Sequence, residues 1–286
     1  MAIYNANGIE ISSAYDVHDN ALDFAYDVDG NIIFETIPPE LIVMSYNVQD
    51  YKGINAQQTM QDLIISTYNA DIVGIQEFSS TATTPTVGVN MFADYSEVVK
   101  SNHKNYMGIA SNIPLSNVSS VDYTNQDPED ASRYNETRAY MIGEITVNGK
   151  TITLINTHLC FLTQSIKFQQ MAELFTLAET KDYVIIFGDF NAYCEEIGDT
   201  EYNNLFKPFV DAGYNLANCT PIRGITNTYT GATSATSLAD FTSPPDNIIT
   251  SSNIQIRNVI YDLTKLSYLN GNSIDHIPVI AGLKIT

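Results

Sequence analysis

Tyr183-Val184-Ile185-Ile186-Phe187-Gly188-Asp189-Phe190-Asn191 runs five apolar residues into a glycine and then alternates two polar groups with a phenylalanine. A short continuous apolar run that stops at a turn residue reads as a strand buried on both faces. The same pattern recurs upstream in Leu41–Asn47 (LIVMSYN) and Asp71–Glu77 (DIVGIQE). Between these two, Ala56–Asn69 carries Met60, Leu63, Ile64 and Tyr68 at helical spacing. Arg138–Val147 and Thr151–Thr157 read as strands joined by Asn148-Gly149, a two-residue hairpin signal. Ser165–Thr180 reads as a helix, and Glu201–Ala212 as another ended by Gly213. Asn247–Ile249 and Val279–Leu283 are late strands. Hairpins mixed with crossovers predict a mixed sheet with helices outside it, an α/β (mixed α+β) fold.

Polar residues of the kinds that bind metals or phosphate close these strands. Asn47 follows LIVMSY, Glu77 follows DIVGIQ, His158 follows TLINT, and Asp189 and Asn191 follow YVIIFG. Strand ends around a sheet converge on a crevice, where α/β proteins bind their ligands. One polar strand end is ordinary capping; four are not.

The 286 residues, 44% of them hydrophobic, suffice for one large domain or a domain with an appendage. Mean hydropathy is −0.08, which excludes a disordered chain. No apolar run reaches the ~18 residues of a membrane span. The N-terminus lacks the basic and apolar regions of a secretory signal, so a cytoplasmic or phage-associated location is expected over a secreted one. Thirteen basic residues against 33 acidic give a net charge of −20. That argues against tight, processive nucleic-acid binding, which needs a basic face. It leaves room for an enzyme that touches a few phosphates briefly. The three cysteines, Cys160, Cys194 and Cys219, are odd in number and widely spaced. They are expected to be free thiols in a reducing compartment.

Asn47 within Ser-Tyr-Asn, Glu77 within Ile-Gln-Glu, Asn156-Thr157-His158-Leu159, Gly188-Asp189-Phe190-Asn191 and Asp275-His276 stand in an order that resembles the endonuclease/exonuclease/phosphatase superfamily. The resemblance runs from Leu41 to the C-terminus. It implies a four-layer α/β/β/α sandwich, two mixed sheets face to face with helices outside. It also implies roles. Glu77 would be the main ligand of Mg2+, with Asn47 beside it and Asp275 on the metal side; Mn2+ would substitute, with Ca2+ as a further alternative. His276 would be the general base, its ring oriented by Asp246, which follows Pro244-Pro245. Asp189 would orient the attacking water, and Asn191 would hydrogen-bond a phosphate oxygen. His158 would give a proton or a hydrogen bond to the phosphate or leaving group, and Arg138 would reach the scissile phosphate. One element departs from the family's Ser-Asp-His: here it reads Ser273-Ile274-Asp275-His276, with Ile274 inserted.

The implied activity is divalent-metal-dependent phosphodiester hydrolysis, first of all by a deoxyribonuclease-type endonuclease, because Asn-Thr-His resembles the deoxyribonuclease and sphingomyelinase branches. The alternative is a phosphatase or a sphingomyelinase/phospholipase-C-like enzyme on a small or lipid phosphate ester. An inactive binding or tail-associated module is the rival from another class. Partners are thus a phosphate ester and, under the first reading, nucleic acid; nothing in the sequence sets the oligomeric state.

The segment before Pro38-Pro39 stands apart. Ala14-Tyr15-Asp16-Val17-His18-Asp19-Asn20 recurs as Ala25-Tyr26-Asp27-Val28-Asp29-Gly30-Asn31. A calcium loop starting at Asp27 fails, because Ile32 replaces its glycine and Pro38 its final glutamate. Residues 1–38 are therefore expected to form a β-hairpin appendage to a catalytic domain at 39–286. The segment also resembles short pieces appended to bacterial prophage and tail-associated proteins.

Overall fold

The computed structural model describes residues 39–48, 65–78, 92, 94–101, 106–129, 137–192, 194, 196–219, 226–229, 243–261 and 275–286, together with the backbone of four short strands before them. Those four are β1 (Ala14–Tyr15), β2 (Ala21–Leu22), β3 (Phe24–Tyr26) and β4 (Ile32–Glu35), paired antiparallel as β1–β2 and β3–β4. The rest of the N-terminal repeat, most of the 56–69 helix, Ser273 and Ile274 lie outside the described residues.

Twelve further strands make two sheets. The first contains β5 (Leu41–Asn47), β6 (Ile72–Gln76), β7 (Glu97–Lys100), β8 (Gly108–Ser111), β15 (Ile254–Tyr261) and β16 (Val279–Ile285), in the order β15-β16-β5-β6-β8-β7. The second contains β9 (Ser116–Asp122), β10 (Ala139–Val147), β11 (Lys150–His158), β12 (Val184–Asp189), β13 (Asn215–Leu216) and β14 (Asp246–Thr250), in the order β13-β14-β12-β11-β10-β9. Each sheet has one parallel pair at its centre, β5–β6 and β11–β12, and antiparallel neighbours outside it. The expected mixed sheets are thus two. At the β10–β11 hairpin Asn148 and Gly149 both have positive φ, 51° and 74°, as a tight two-residue turn requires.

The sheets pack face to face. Leu41, Val43 and Ile72 from one meet Met141, Leu154, Ile185, Phe187 and Ile248 from the other in a single apolar layer. At Gly74 the approach is close enough that a Cβ would lie 1.9 Å from Cδ2 of Phe187, so only glycine fits there. Outside the second sheet, helix α1 (Gln164–Ala178) buries Met171 and Leu174 against Ile155, Ile186 and Phe190. A π-helical turn at Tyr202–Phe206 followed by α2 (Lys207–Asp211) covers the same face. Outside the first sheet, Ile65 and Tyr68 pack on Met44, Tyr46 and Ile75 from a helical turn at 65–68. The result is the four-layer sandwich expected. No helix among the described residues is long and apolar enough to cross a membrane.

The helix expected over Glu201–Ala212 is a π-turn running into α2. Pro208 has no N–H to donate, which suits the first turn of α2.

Candidate active site

Strand alternation puts every second side chain of the central strands into the space between the sheets. That inner face changes character along its length. At one end it is apolar, with Leu41, Val43, Ile72, Leu154, Ile185 and Ile248. Further on, Gln76 and Asn156 are fully buried and bridge the sheets: Gln76 Nε2 donates to Asn156 Oδ1 at 2.7 Å. Asn156 Nδ2 in turn donates to the carbonyls of Ile75 and Gly108 at 2.8 and 2.7 Å. Beyond this polar clamp the inner face ends in the candidate site.

Three site residues come from one row of the second sheet. His158 pairs in register with Asp189 across parallel β11–β12, and Asp189 with Asp246 across antiparallel β12–β14. Register partners share a face, so all three side chains enter the same gap. Gly188 permits the close approach, because a Cβ there would meet the Thr157 carbonyl oxygen at 2.4 Å. From the first sheet, Asn47 ends β5 and Glu77 follows β6. Alternation alone would turn Glu77 away from the gap. Its φ of 53° breaks the alternation, a backbone strain characteristic of functional positions. Glu77 Oε1 thereby accepts a hydrogen bond from Asn47 Nδ2 at 3.1 Å, and the same amide donates to Asp189 Oδ2 at 2.9 Å.

His276 enters from the chain just before β16. Its Nδ1 lies 2.8 Å from Asp246 Oδ2, which also accepts the Thr228 hydroxyl at 2.7 Å. The backbone of Tyr229 bridges to His276, and the two rings lie 4.8 Å apart. The Nε2 atoms of His276 and His158 stand 3.7 and 3.6 Å from one oxygen, Asp189 Oδ2. Asp189 Oδ1 accepts the Asn191 N–H at 2.8 Å, and Asn191 Nδ2 donates to the Leu159 carbonyl at 2.9 Å. Asn191 also has a positive φ, 49°.

The electrostatics follow from burial and crowding. Burial drives the Glu77 carboxyl up to about 7, with Asp275 and Asp189 adding to the rise against His276 and Asn47. Burial likewise raises Asp246 to about 6, although His276 and Thr228 oppose it. Burial lowers His276, but Asp246, Asp275 and Asp189 outweigh it and hold the imidazole up at about 10. His158 is pushed down to about 3 by burial and by the Arg138 charge. Asp189 stays low: burial is offset by both histidines, Asn47 and the Asn191 N–H.

The structure therefore gathers Asn47, Glu77, His158, Asp189, Asp246 and His276 around one gap, with Asn191 bonded to Asp189. The Asp275 charge is felt by both Glu77 and His276. Arg138 is as buried as Asn47 and Asp189, 2% exposed, its guanidinium 5.6 Å from the Phe161 ring. The one group of acids and histidine whose ligand atoms all lie within 4.8 Å of one another, among the described residues, is Asp189, Asp246 and His276, which differs from the expected metal set.

Sequence reasoning missed several supporting residues. Thr228 lies in no regular element. Lys167 and Gln170 on α1 are buried at 2% and 0%. Lys167 Nζ donates to the Asn191 carbonyl and to Glu201 Oε1, the latter at 2.7 Å. Gln170 accepts the Cys160 N–H at 2.9 Å. Polar residues three apart on the buried face of a helix were the available clue: they tie α1 to the exits of both β11 and β12.

The sequence profile of the endonuclease/exonuclease/phosphatase family matches residues 44–261. No curated protein is significantly similar in sequence. Among solved structures, the endonuclease/exonuclease/phosphatase from Beutenbergia cavernae matches with a TM-score of 0.62 at 13% identity, over 86% of this chain and 71% of that one. The human nocturnin catalytic domain, solved with a bound sulfate anion, gives 0.61 at 18%, over 88% and 96%. A humanized D. rerio TDP2 gives 0.61 at 17%, over 85% and 98%. At such identities the likeness concerns the fold. The profile match spans most of the chain, including Asn47, Glu77, His158, Asp189 and Asp246, and the chain belongs to the endonuclease/exonuclease/phosphatase family.

Proposed function

We propose that the chain is a divalent-metal-dependent phosphodiester hydrolase of the deoxyribonuclease type. The observation that carries this reading is the convergence of two imidazole Nε2 atoms on Asp189 Oδ2, with Asp246 behind one of them. A water held between Asp189 Oδ2 and His276 Nε2 has an acceptor on each side. His276 takes its proton, and Asp246 stabilises the imidazolium that forms. His158, held neutral by burial and Arg138, offers an N–H to a phosphate or leaving-group oxygen rather than a transferable proton. Asn191 spends one amide hydrogen on Leu159; the other is its means of reaching a phosphate oxygen.

The donor set fits Mg2+. Glu77 is a partly buried carboxylate whose pKa is raised first by desolvation and then by Asp275 and Asp189, and a bound cation would favour its ionised form. Carboxylate and amide oxygens at Glu77, Asp275 and Asn47 suit a hard cation. The Asp189, Asp246 and His276 cluster suits it less. Its His276–Asp246 contact is already a hydrogen bond, and an imidazole ligand favours transition metals. When bound, the metal neutralises phosphate charge and polarises the P–O bond.

The deoxyribonuclease assignment rests on the Asn156-Thr157-His158 element. Plasmid DNA, RNA, sphingomyelin and inositol phosphates, each with Mg2+, Mn2+ or EDTA, make the test. Metal-dependent nicking of the plasmid is expected. Hydrolysis of only a lipid or inositol phosphate would overturn the substrate, and no hydrolysis of any with any metal would overturn the enzyme.

A further inference from the structure

Cys194 Sγ and Cys219 Sγ lie 2.6 Å apart, and both residues are buried. That separation is far inside the distance at which unbonded sulfurs rest. It is about half an ångström beyond a disulfide bond of about 2.05 Å. We propose that these two cysteines form an intrachain disulfide that fastens the exit of β12 to the exit of β13, beside the start of β14.

The geometry gives the link its consequence. Cys194 follows Asn191 by three residues, on the segment that carries Asp189 and Asn191. Cys219 has φ of 65°, and its N–H donates to Asn218 Oδ1 at 3.0 Å. Asn218 is bound into the start of β14: its N–H donates to Asn247 Oδ1 at 2.8 Å, and its Nδ2 to the Asp246 carbonyl at 3.3 Å. A covalent link between 194 and 219 therefore joins the segment bearing Asp189 to the one after β13 that is hydrogen-bonded to the start of β14, where Asp246 stands. Cys160 is held elsewhere, with its Sγ 3.5 Å from Asp127 Oδ2 and accepting the Thr163 N–H. It is the odd thiol.

The oxidant is a small-molecule disulfide of the glutathione class. One cysteine, as thiolate, attacks a sulfur of that disulfide and releases one thiol. The second cysteine, on losing its proton, displaces the remaining thiol and closes the bond. Two electrons and two protons pass from the cysteine pair to the oxidant. The expected free thiols thus become one thiol and one bridge wherever oxidant is available.

The test is thiol counting by alkylation in denaturant, followed by peptide mass spectrometry, on the full chain. The chain is taken reduced, after native incubation with oxidised glutathione, and after refolding in glutathione redox buffer. Three thiols should fall to one. The 194 and 219 peptides should be found joined, and the protein should be lighter by two hydrogens. Cys160→Ser should still lose two thiols, and the oxidised form should melt at a higher temperature than the reduced form. Retention of three thiols under both oxidising treatments, a lasting glutathione adduct, or a bridge that includes Cys160 would each overturn the proposal. None of these outcomes bears on hydrolysis, so the proposed activity stands or falls separately.

Discussion

His276 Nδ1 lies 2.8 Å from Asp246 Oδ2, although thirty residues separate them in the chain. The contact fixes the ring's tautomer and aims Nε2 at the gap, and it predicts a pH signature. Burial lowers His276, but the facing carboxylates, Asp246 foremost, hold it up at about 10. The base acts only when unprotonated, so activity should rise with pH into the alkaline range. Asp246→Asn removes the charge that favours the imidazolium. The rise should then move to lower pH while the plateau kcat drops by about 10²-fold or more. A kcat–pH profile that keeps its position in the variant would contradict the pairing.

Metal binding should compete with a proton. Burial holds Glu77 at about 7, so below that pH magnesium must displace the proton, and above it the carboxylate is ready. Calorimetry should find affinity rising by about tenfold per pH unit well below 7 and levelling above it. Glu77→Gln should weaken binding sharply and flatten this dependence. A variant that binds magnesium as the wild type does would displace Glu77 from its assigned role.

The strand ends were legible because buried strands are written as unbroken apolar runs, and a polar residue at the end of such a run is conspicuous. β9, SNVSSVD, was not legible, because an edge strand facing solvent needs no apolar face. β7 and β15 escaped for related reasons: EVVK is short, and IQIRNVIY has Arg257 and Asn258 in its middle. Glu77 and Asn191 were found as residue types, but their positive φ values, which aim them, belong to tertiary packing. Thr228 carries no sequence signal at all; only the fold brings its hydroxyl to Asp246.

Lys167 should matter to both stability and turnover. It is buried with Glu201 and holds the Asn191 carbonyl. Lys167→Met removes the ammonium 2.7 Å from the buried Glu201 carboxylate, at a cost of about 3–5 kcal/mol. It also removes the bond to the Asn191 carbonyl, one of the three that hold Asn191, so kcat should fall. Adding Glu201→Met should recover much of the stability but not the turnover. Urea denaturation and steady-state kinetics on the two variants separate the effects; equal recovery of both would make the role purely structural.

Gly74→Ala tests the sheet packing beneath the site. A Cβ at 1.9 Å from the Phe187 ring forces the sheets apart or the ring aside, costing about 1–3 kcal/mol. Phe187→Leu added to it should restore part of that loss, as measured by denaturant midpoints. A neutral Gly74→Ala would mean that the sheets do not meet there.

The central claim is that His276 is the base of a metal-dependent hydrolase. Steady-state hydrolysis of bis-p-nitrophenyl phosphate, by wild type and His276→Ala, with Mg2+ or with EDTA, measures it most directly. The wild type should turn over with Mg2+ and stop in EDTA, and His276→Ala should lose about 10²–10⁴-fold in kcat with KM little changed. A His276→Ala enzyme with wild-type kcat, or wild-type hydrolysis undiminished by EDTA, would contradict it.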